Sequence, residues 1–465
     1  MALSLADAMQ EAMRSKVDFE IHSHCMCLKT EAEDMPQFAG PGTIRISGNS
    51  TLDFTLYSTS NTFGELIPDG PAGTLIPDDS TYSLTAMDEY GHIWTARHVY
   101  SLRPHYSGAS SVRIVGEIIE IRNEEQYCPH PSFKRGHAST SLKVFDSIQI
   151  PRNTATTISE RVRGERFPRK RRTNLNVATF ASGDYAFHFT VRDGELELNV
   201  DASSHSAALH NAIVESLQFV LARPIWWTMM IEQVDNTITH TIRARPAIAA
   251  VGTGCPPIDS VSFVDRTNCV WNLFAKYFEF VNRCPSLDWH HLSRFVYSVF
   301  EGRAASFDSY RLSLSIAVEG VIKSALGGIV KQDEQLAPAI ESVKAHFGNW
   351  QYSADAEIER SIRNRLQGFL DNLARVRPVD CLHRLCQAEV ITAREFTAWK
   401  NMRNADAHAN RPGLPPTQAE IDAQAVVLTL MHKLIFQAIG YAGKYSDYGK
   451  RGYPLADFKS ISAIM

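Results

Sequence analysis

Two hydrophobic periods divide this chain, and no single layer of secondary structure satisfies both. Through the first 250 or so of its 465 residues, apolar side chains alternate with polar ones, the period of a strand with one face on a core. From Thr43 to Tyr57, Ile44 and Ile46 share a face, Ser47-Gly48-Asn49-Ser50 supplies a turn, and Leu52, Phe54 and Leu56 return, which predicts a hairpin. Phe187, Phe189 and Val191 lead into Asp193-Gly194 and return as Leu196, Leu198 and Val200, a second hairpin with a turn dipeptide suited to tight reversal. Further strands are expected at Tyr82 to Ala86, His92 to Val99, Val112 to Ile121, Leu142 to Ile150 and Thr237 to Ala244, with helices at Ser4 to Lys16 and Ser206 to Ala222. These patterns predict a β-sandwich-like module with helical additions.

The last third follows the helical period. From Ser306 to Leu326, the residues Leu314, Val318, Val321, Ile322 and Ala325 fall on one face, with Gly327-Gly328 as a stop. From Ala354 to Val376, the stripe Ile358, Ile362, Leu366, Phe369, Leu373 and Val376 is expected to face the core, with Pro378 beyond it. A shorter helix is expected to hold Leu382, Leu385 and Cys386. Thr392 with Glu395, and Thr417 with Glu420, are capping-box signals that open two more helices. The first ends before Arg411-Pro412-Gly413-Leu414-Pro415-Pro416; the second presents Ile421, Leu428, Met431, Ile435 and Ile439 before Gly440 and Gly443. An antiparallel helical bundle is the expected outcome. The switch of period near residues 250 to 285, in a chain too long for one ordinary core, predicts two domains spanning 1–265 and 285–465. The fold class is therefore α+β multidomain, an N-terminal β-rich, sandwich-like domain followed by a C-terminal all-α bundle.

Inside the bundle lies Arg403-Asn404-Ala405-Asp406-Ala407-His408. On a helix Asn404 and His408 lie one turn apart, while Arg403 projects about 100° away among Phe396, Trp399, Met402 and Ala407. A guanidinium in such a stripe needs a carboxylate or a second polar surface, because burying it unpaired is costly. A structural reading is available too: Arg403 and Asp406 as an ion pair three residues apart, and His408 as a cation at the helix C-terminus.

The order of these helices, the late R-N-x-x-x-H string, the proline-rich break after it, and the tail Gly440-Tyr441-Ala442-Gly443-Lys444-Tyr445-Ser446-Asp447-Tyr448 with Arg451-Gly452-Tyr453-Pro454 resemble the ApeA-like branch of the HEPN superfamily over roughly residues 285 to 465. The resemblance implies a dimeric, metal-independent ribonuclease in which arginine and histidine of two protomers meet in a cleft, of the kind found in antiphage and toxin systems. It makes Arg403 and His408 the catalytic pair and Asn404 the accompanying polar residue. The β-rich part resembles, more loosely, the N-terminal domain of such proteins, and a sensing or regulatory role is expected for it. No cofactor is expected. The expected partners are an RNA substrate, with tRNA among the candidates, a second copy of the chain in a dimer or even-numbered assembly, and a phage-derived trigger or regulatory partner.

The net charge of −4 argues against indiscriminate binding of nucleic acid, so RNA contacts must be local. Arg161, Arg163, Arg166, Arg169, Lys170, Arg171 and Arg172 form the one strongly basic run. Arg169, Lys170, Arg171 and Arg172 are its densest part, read either as a phosphate-gripping loop or as a solvated connector. Eight cysteines are too few for a disulfide scaffold, and Cys381 and Cys386 read as core residues, as does His432. His22, His24, Cys25 and Cys27 are crowded rather than set as two spaced pairs, which favours strand packing over zinc and leaves no metal site expected. The N-terminus lacks an export signal and Arg223-Pro224 breaks the apolar run from Phe219 to Ile231, so cytosol without membrane attachment is the expected location.

Around Arg403 and His408 there is no H-E-x-x-H, D-x-D or paired-carboxylate spacing to seat a hydrolytic metal. The expected chemistry is attack by the RNA's own 2′-hydroxyl, with His408 moving protons and Arg403 stabilising the phosphoryl oxygens. The competing reading is a non-catalytic dimeric recognition or sensor protein whose β domain binds a partner.

Overall fold

The computed structural model describes residues 5–30, 37–48, 51–59, 81–106, 111–126, 138–162, 165–174, 176–203, 206, 208–245, 253–259, 264–283, 288–329, 336–348, 356–373, 377–407 and 415–461. It has a large antiparallel sheet followed by helices, the order expected from the two periods. Contacts divide the chain into two compact units, Met1–Val214 with Ile225–Ala249, and Glu215–Pro224 with Ala250–Met465.

The first unit begins with α1 (Leu5–Ser15) and β1 (Phe19–Lys29), β2 (Phe38–Ile46), β3 (Leu52–Ser58), β4 (Tyr82–Asp88), β5 (Ile93–Tyr106) and β6 (Val112–Glu117). β5 pairs with β4 and with β6, and the chain of pairings β4–β1–β2–β3–β6 joins them from the other side, so six strands close into a barrel. Closure removes the exposed edges that an open sheet leaves. The alternating residues Ile44, Ile46, Leu52, Phe54 and Leu56 are buried in its core together with Trp94, Ile114 and Met9 and Met13 of α1. Gly116 is required here, since a Cβ would stand 2.5 Å from the Phe54 ring. Between β4 and β5 the buried Asp88 carboxylate accepts hydrogen bonds from the backbone of Tyr90 and His92 and from Trp94 Nε1 at 3.1 Å, which fixes the turn.

β5 is long enough to pair also with β7 (Glu120–Gln126), and there the sheet continues outward. β8 (Ala138–Val144), β9 (Ala155–Val162), β10 (Glu165–Asn174), β11 (Val177–Ser182), β12 (Tyr185–Arg192) and β13 (Glu195–Ala202) follow, then α2 (Leu209–Leu221), β14 (Met229–Val234) and β15 (Thr237–Arg243). The outward order is β7–β15–β14–β8–β13–β12–β11. The stretch read as one strand from Val112 to Ile121 is two, β6 and β7. Ile118 between them is buried, and its N–H goes to Leu52 O. The Asp193-Gly194 hairpin forms in the expected register, with Val191 opposite Leu196. α1 is tied to the sheet by the buried Glu195, which accepts from Arg14 Nη2 at 2.8 Å and Gln10 Nε2 at 3.0 Å and faces Lys143.

The second unit holds α3 (Val264–Val281), α4 (His291–Ala305), α5 (Phe307–Val321), a π-helical turn (Ile322–Leu326), a 3₁₀ turn (Gly327–Ile329), α6 (Leu336–Gly348), α7 (Ala356–Leu373), α8 (Pro378–Gln387), α9 (Ala393–Ala407) and α10 (Gln418–Ile439), closed by the ribbon β16 (Gly443–Ser446) and β17 (Leu455–Phe458). α10 is the hub: every residue from Val426 to Ile439 is buried, as expected for a helix apolar nearly all round. Both capping boxes form, Thr392 with Glu395 and Thr417 with Glu420, and Gly440 ends α10 in the left-handed region at φ 67°. In the middle of α2, the buried Glu215 carboxylate accepts from His290 N at the start of α4, and Tyr277 OH lies 2.9 Å from Ser293 Oγ.

One expected core face is not core. On α7, Ile358, Ile362 and Phe369 are exposed, Leu366 is half-buried and Leu370 is buried, while the side chain of Leu373 and the whole of Val376 lie outside the described residues. The stripe has the correct spacing, but among the described residues α7 packs chiefly on α6, so its amphipathic face is only partly covered. No helix among the described residues is long and apolar enough to cross a membrane.

Candidate functional site

α9 buries Glu395, Trp399 and Met402 in the bundle, leaves Phe396 and Ala398 half-buried, and presents Thr397, Lys400, Asn401 and Arg403 at its surface. Two contacts fix this register. Trp399 Nε1 donates to Ser315 O of α5 at 3.3 Å, and Lys433 Nζ of α10 lies 2.8 Å from Glu395 Oε1, an ion pair with both partners buried. Lys433 also stands over the Tyr445 ring at 5.5 Å.

Arg403 is therefore placed one turn beyond Trp399, its guanidinium 5.8 Å from that indole. Its side chain is 45% exposed, so it lies at the border of the apolar stripe rather than within it. The partner that an arginine on this face requires is Glu319 of α5, whose Oε2 accepts from Arg403 Nε at 3.0 Å. Glu319 Oε1 accepts from Lys323 Nζ at 2.7 Å, so one carboxylate is shared by two cations. Burial is the largest single influence on Glu319 and raises its pKa. The hydrogen bonds from Lys323 and Arg403 together outweigh burial and hold the carboxyl below its usual range. The bond to Glu319 uses Nε, so this carboxylate does not occupy the Nη donors with which arginine grips a phosphate. Asn404 is exposed beside Arg403. His408 lies outside the described residues, as does the side chain of Asp406.

Glu319 and Lys323 carry no motif. The signal available was an acid followed four residues later by a lysine at the end of a helix whose other residues are largely apolar. The same face of α5 carries Leu312 and Ile316, 46% and 53% exposed, at the spacing that continues to Glu319 and Lys323. An exposed apolar strip thus runs up to the arginine. Just past Glu319, α5 widens into the π turn, a feature that recurs at functional sites.

The other singled-out residues are separate. Arg169, Lys170, Arg171 and Arg172 belong to β10, which pairs with β9 as an antiparallel ribbon, with Lys170 opposite Ser159 and Arg172 opposite Thr157. The stretch read as a loop or connector is thus a hairpin. Thr156, Thr157 and Ile158 favour strand geometry, and Pro168 falls where the register shifts between Arg166 and Lys170. The side chains of this basic run lie outside the described residues.

His22, His24 and Cys25 are exposed on β1, while Ile21, Ser23, Met26 and Leu28 are buried, with a bulge between Ser23 and Cys25. Among the described residues no three histidine, cysteine or acidic side chains are grouped to hold a metal. Cys381 is buried, Cys386 is half-buried, and His432 is buried, its pKa lowered to about 3 by loss of solvent. No family model, curated protein or solved structure matches this chain.

Proposed function

We propose that the chain is a metal-independent endoribonuclease of HEPN type, acting as an antiphage or toxin effector and working as a dimer in the cytoplasm. The observation that carries the reading is the placement of Arg403: exposed at a helix surface, oriented through Nε by Glu319, and followed at once by the exposed Asn404. A guanidinium anchored in this way has lost part of its conformational freedom before substrate arrives, which favours a fixed geometry toward a phosphate. In the proposed reaction the RNA 2′-oxygen attacks the adjacent phosphorus as its proton passes to a base. Arg403 stabilises charge on the phosphoryl oxygens, and the departing 5′-oxygen takes a proton from His408. The products are a 2′,3′-cyclic phosphate and a 5′-hydroxyl. Two copies of His408 across a dimer divide the base and acid roles. The exposed Leu312 and Ile316 supply apolar surface for a two-fold contact beside Arg403, and the β-rich unit restrains or triggers the nuclease.

The test is incubation of purified protein with total RNA in EDTA, beside Arg403→Ala and His408→Ala. Cleavage by the wild type alone, absent at 2′-deoxy and 2′-O-methyl positions, supports the reading. Activity lost in EDTA and restored by magnesium, with 5′-phosphate products, overturns the mechanism. Wild-type rates in both folded variants overturn the site. The Glu319 contact also suits a second reading, in which Arg403 is a structural ion pair and the chain is a non-catalytic dimeric sensor. Absence of any cleavage, with the dimer intact, selects that one.

A further inference from the structure

The helical unit has a concave site apart from Arg403. A cleft of about 320 Å³ is lined by Arg303 of α4, Phe307 and Tyr310 of α5, Gln424 of α10, and Tyr448 and Tyr453 of the tail. That volume lies at the lower end of the range for small-ligand sites. From Phe307 to Glu319 the rise along α5 is roughly 18 Å, so the cleft is distinct from the Arg403 site.

Three features of its lining are unexplained by the fold. Gln424 is 7% exposed, and its Nε2 has no hydrogen-bond partner, an orphan donor that is costly in a buried position. Tyr453 is 55% exposed and sits at φ 50°, a left-handed backbone that non-glycine residues avoid and that is retained where the surroundings enforce it. Its ring centre is 5.1 Å from that of Tyr448, whose hydroxyl is anchored on Pro256 O, so Tyr453 stands at the rim against a fixed aromatic wall. Arg303 Nη1 donates to Cys255 Sγ at 3.3 Å and its guanidinium lies 5.6 Å from the Tyr310 ring. Neither neighbour is a carboxylate, and burial pushes the Tyr310 phenol up to about 12, keeping it neutral.

An accessible aromatic face, a buried amide donor and a cation that meets no carboxylate among the described residues make complementary demands on one ligand. It must have a flat π surface, an acceptor on the edge of that surface, and a negative group. We propose that the cleft binds a nucleotide, its base stacked on Tyr453 and accepting from Gln424 Nε2, its phosphate beside Arg303. An aliphatic ligand would leave the Tyr453 ring without a stacking partner, and an uncharged aromatic one would leave the guanidinium unmet. The nucleotide is either a free mononucleotide or one residue of a single RNA strand, and the two sources separate experimentally.

The experiment is calorimetric titration of the full chain carrying Arg403→Ala, so that a bound strand stays intact, with AMP, GMP, CMP and UMP, and with a single-stranded hexanucleotide. Stacking on an aromatic side chain supports a loss of roughly tenfold or more in Tyr453→Ala, with Tyr453→Phe close to wild type. Gln424→Leu should weaken binding as well. Saturable mononucleotide binding that Tyr453→Ala weakens identifies a free nucleotide as the ligand. Weakening seen with the hexanucleotide alone identifies an RNA strand. No binding of either probe, or binding that Tyr453→Ala leaves unchanged, overturns the proposal. Tyr453 is at the surface, so this arm stands even if Gln424→Leu fails to fold. Because the readout is binding, the result is independent of whether the chain cleaves RNA.

Discussion

Arg403 Nε donates to Glu319 Oε2 at 3.0 Å, joining α9 to α5 where the R-N-x-x-x-H string meets an acid from another helix. The same carboxylate holds Lys323, so two cations share one acid there.

If this contact orients Arg403, Glu319→Gln should lower the cleavage rate while leaving the fold nearly as stable. A half-exposed pair of this kind contributes on the order of 0–1 kcal/mol, so the Tm should move by only a few degrees. Single-turnover kinetics beside a thermal melt separate the two effects. A large Tm drop with an unchanged rate would assign the contact to stability alone.

The Lys433–Glu395 pair is a different case, because both side chains are buried. Lys433→Met should cost about 3–5 kcal/mol in urea unfolding, since Glu395 is left charged and uncompensated. Adding Glu395→Gln should restore much of that loss, and failure to do so would show that packing, not charge, was removed.

Stability should fall with rising pH on account of Glu215. Burial raises its carboxyl to about 7 from the ordinary 4.5. Between these values the native state retains a proton that the unfolded chain has released, so stability declines across the window and levels off above it. The shift corresponds to on the order of 3 kcal/mol. Glu215→Gln should flatten the decline and raise the Tm at about pH 8, where the unmodified carboxyl is ionised in both states. His432 acts in the opposite sense. Its pKa is lowered to about 3, so stability is lost as pH falls below the ordinary histidine value of 6.5, and His432→Met should soften that acid limb in the same Tm series.

Leu312→Glu with Ile316→Glu should disperse a dimer built on the exposed face of α5 and abolish cleavage with it. Sedimentation velocity at several concentrations checks this. A variant that stays dimeric would move the contact elsewhere, and the stripe Ile358, Ile362 and Phe369 of α7 becomes the next to substitute.

Neutralising Arg169, Lys170, Arg171 and Arg172 together should weaken RNA binding and flatten its dependence on salt, because fewer counterions are released. The rate on saturating RNA should change less. An unaltered salt slope would return this ribbon to a purely structural role.

Local chemistry determined much of this molecule. Period-two alternation located both hairpins, and Thr392, Glu395, Thr417, Glu420 and Gly440 set helix ends, because a cap or a turn is made by residues a few positions apart. The position of Arg403 on α9, and its need for a partner on an apolar face, were legible for the same reason. Three things were not. Closure of β1 to β6 into a barrel depends on β5 pairing with both β4 and β6, a long-range choice that alternation does not encode. The α7 stripe has the spacing of a core face, yet burial depends on what packs against it, and here much of it remains exposed. Glu319 and Lys323 look like any surface pair until α5 and α9 are brought together. The residues alone indicated which helix carries the arginine, whereas its place at the border of the apolar stripe and the carboxylate that meets it follow from packing, because that contact spans residues 319 and 403 and no local period sets its geometry.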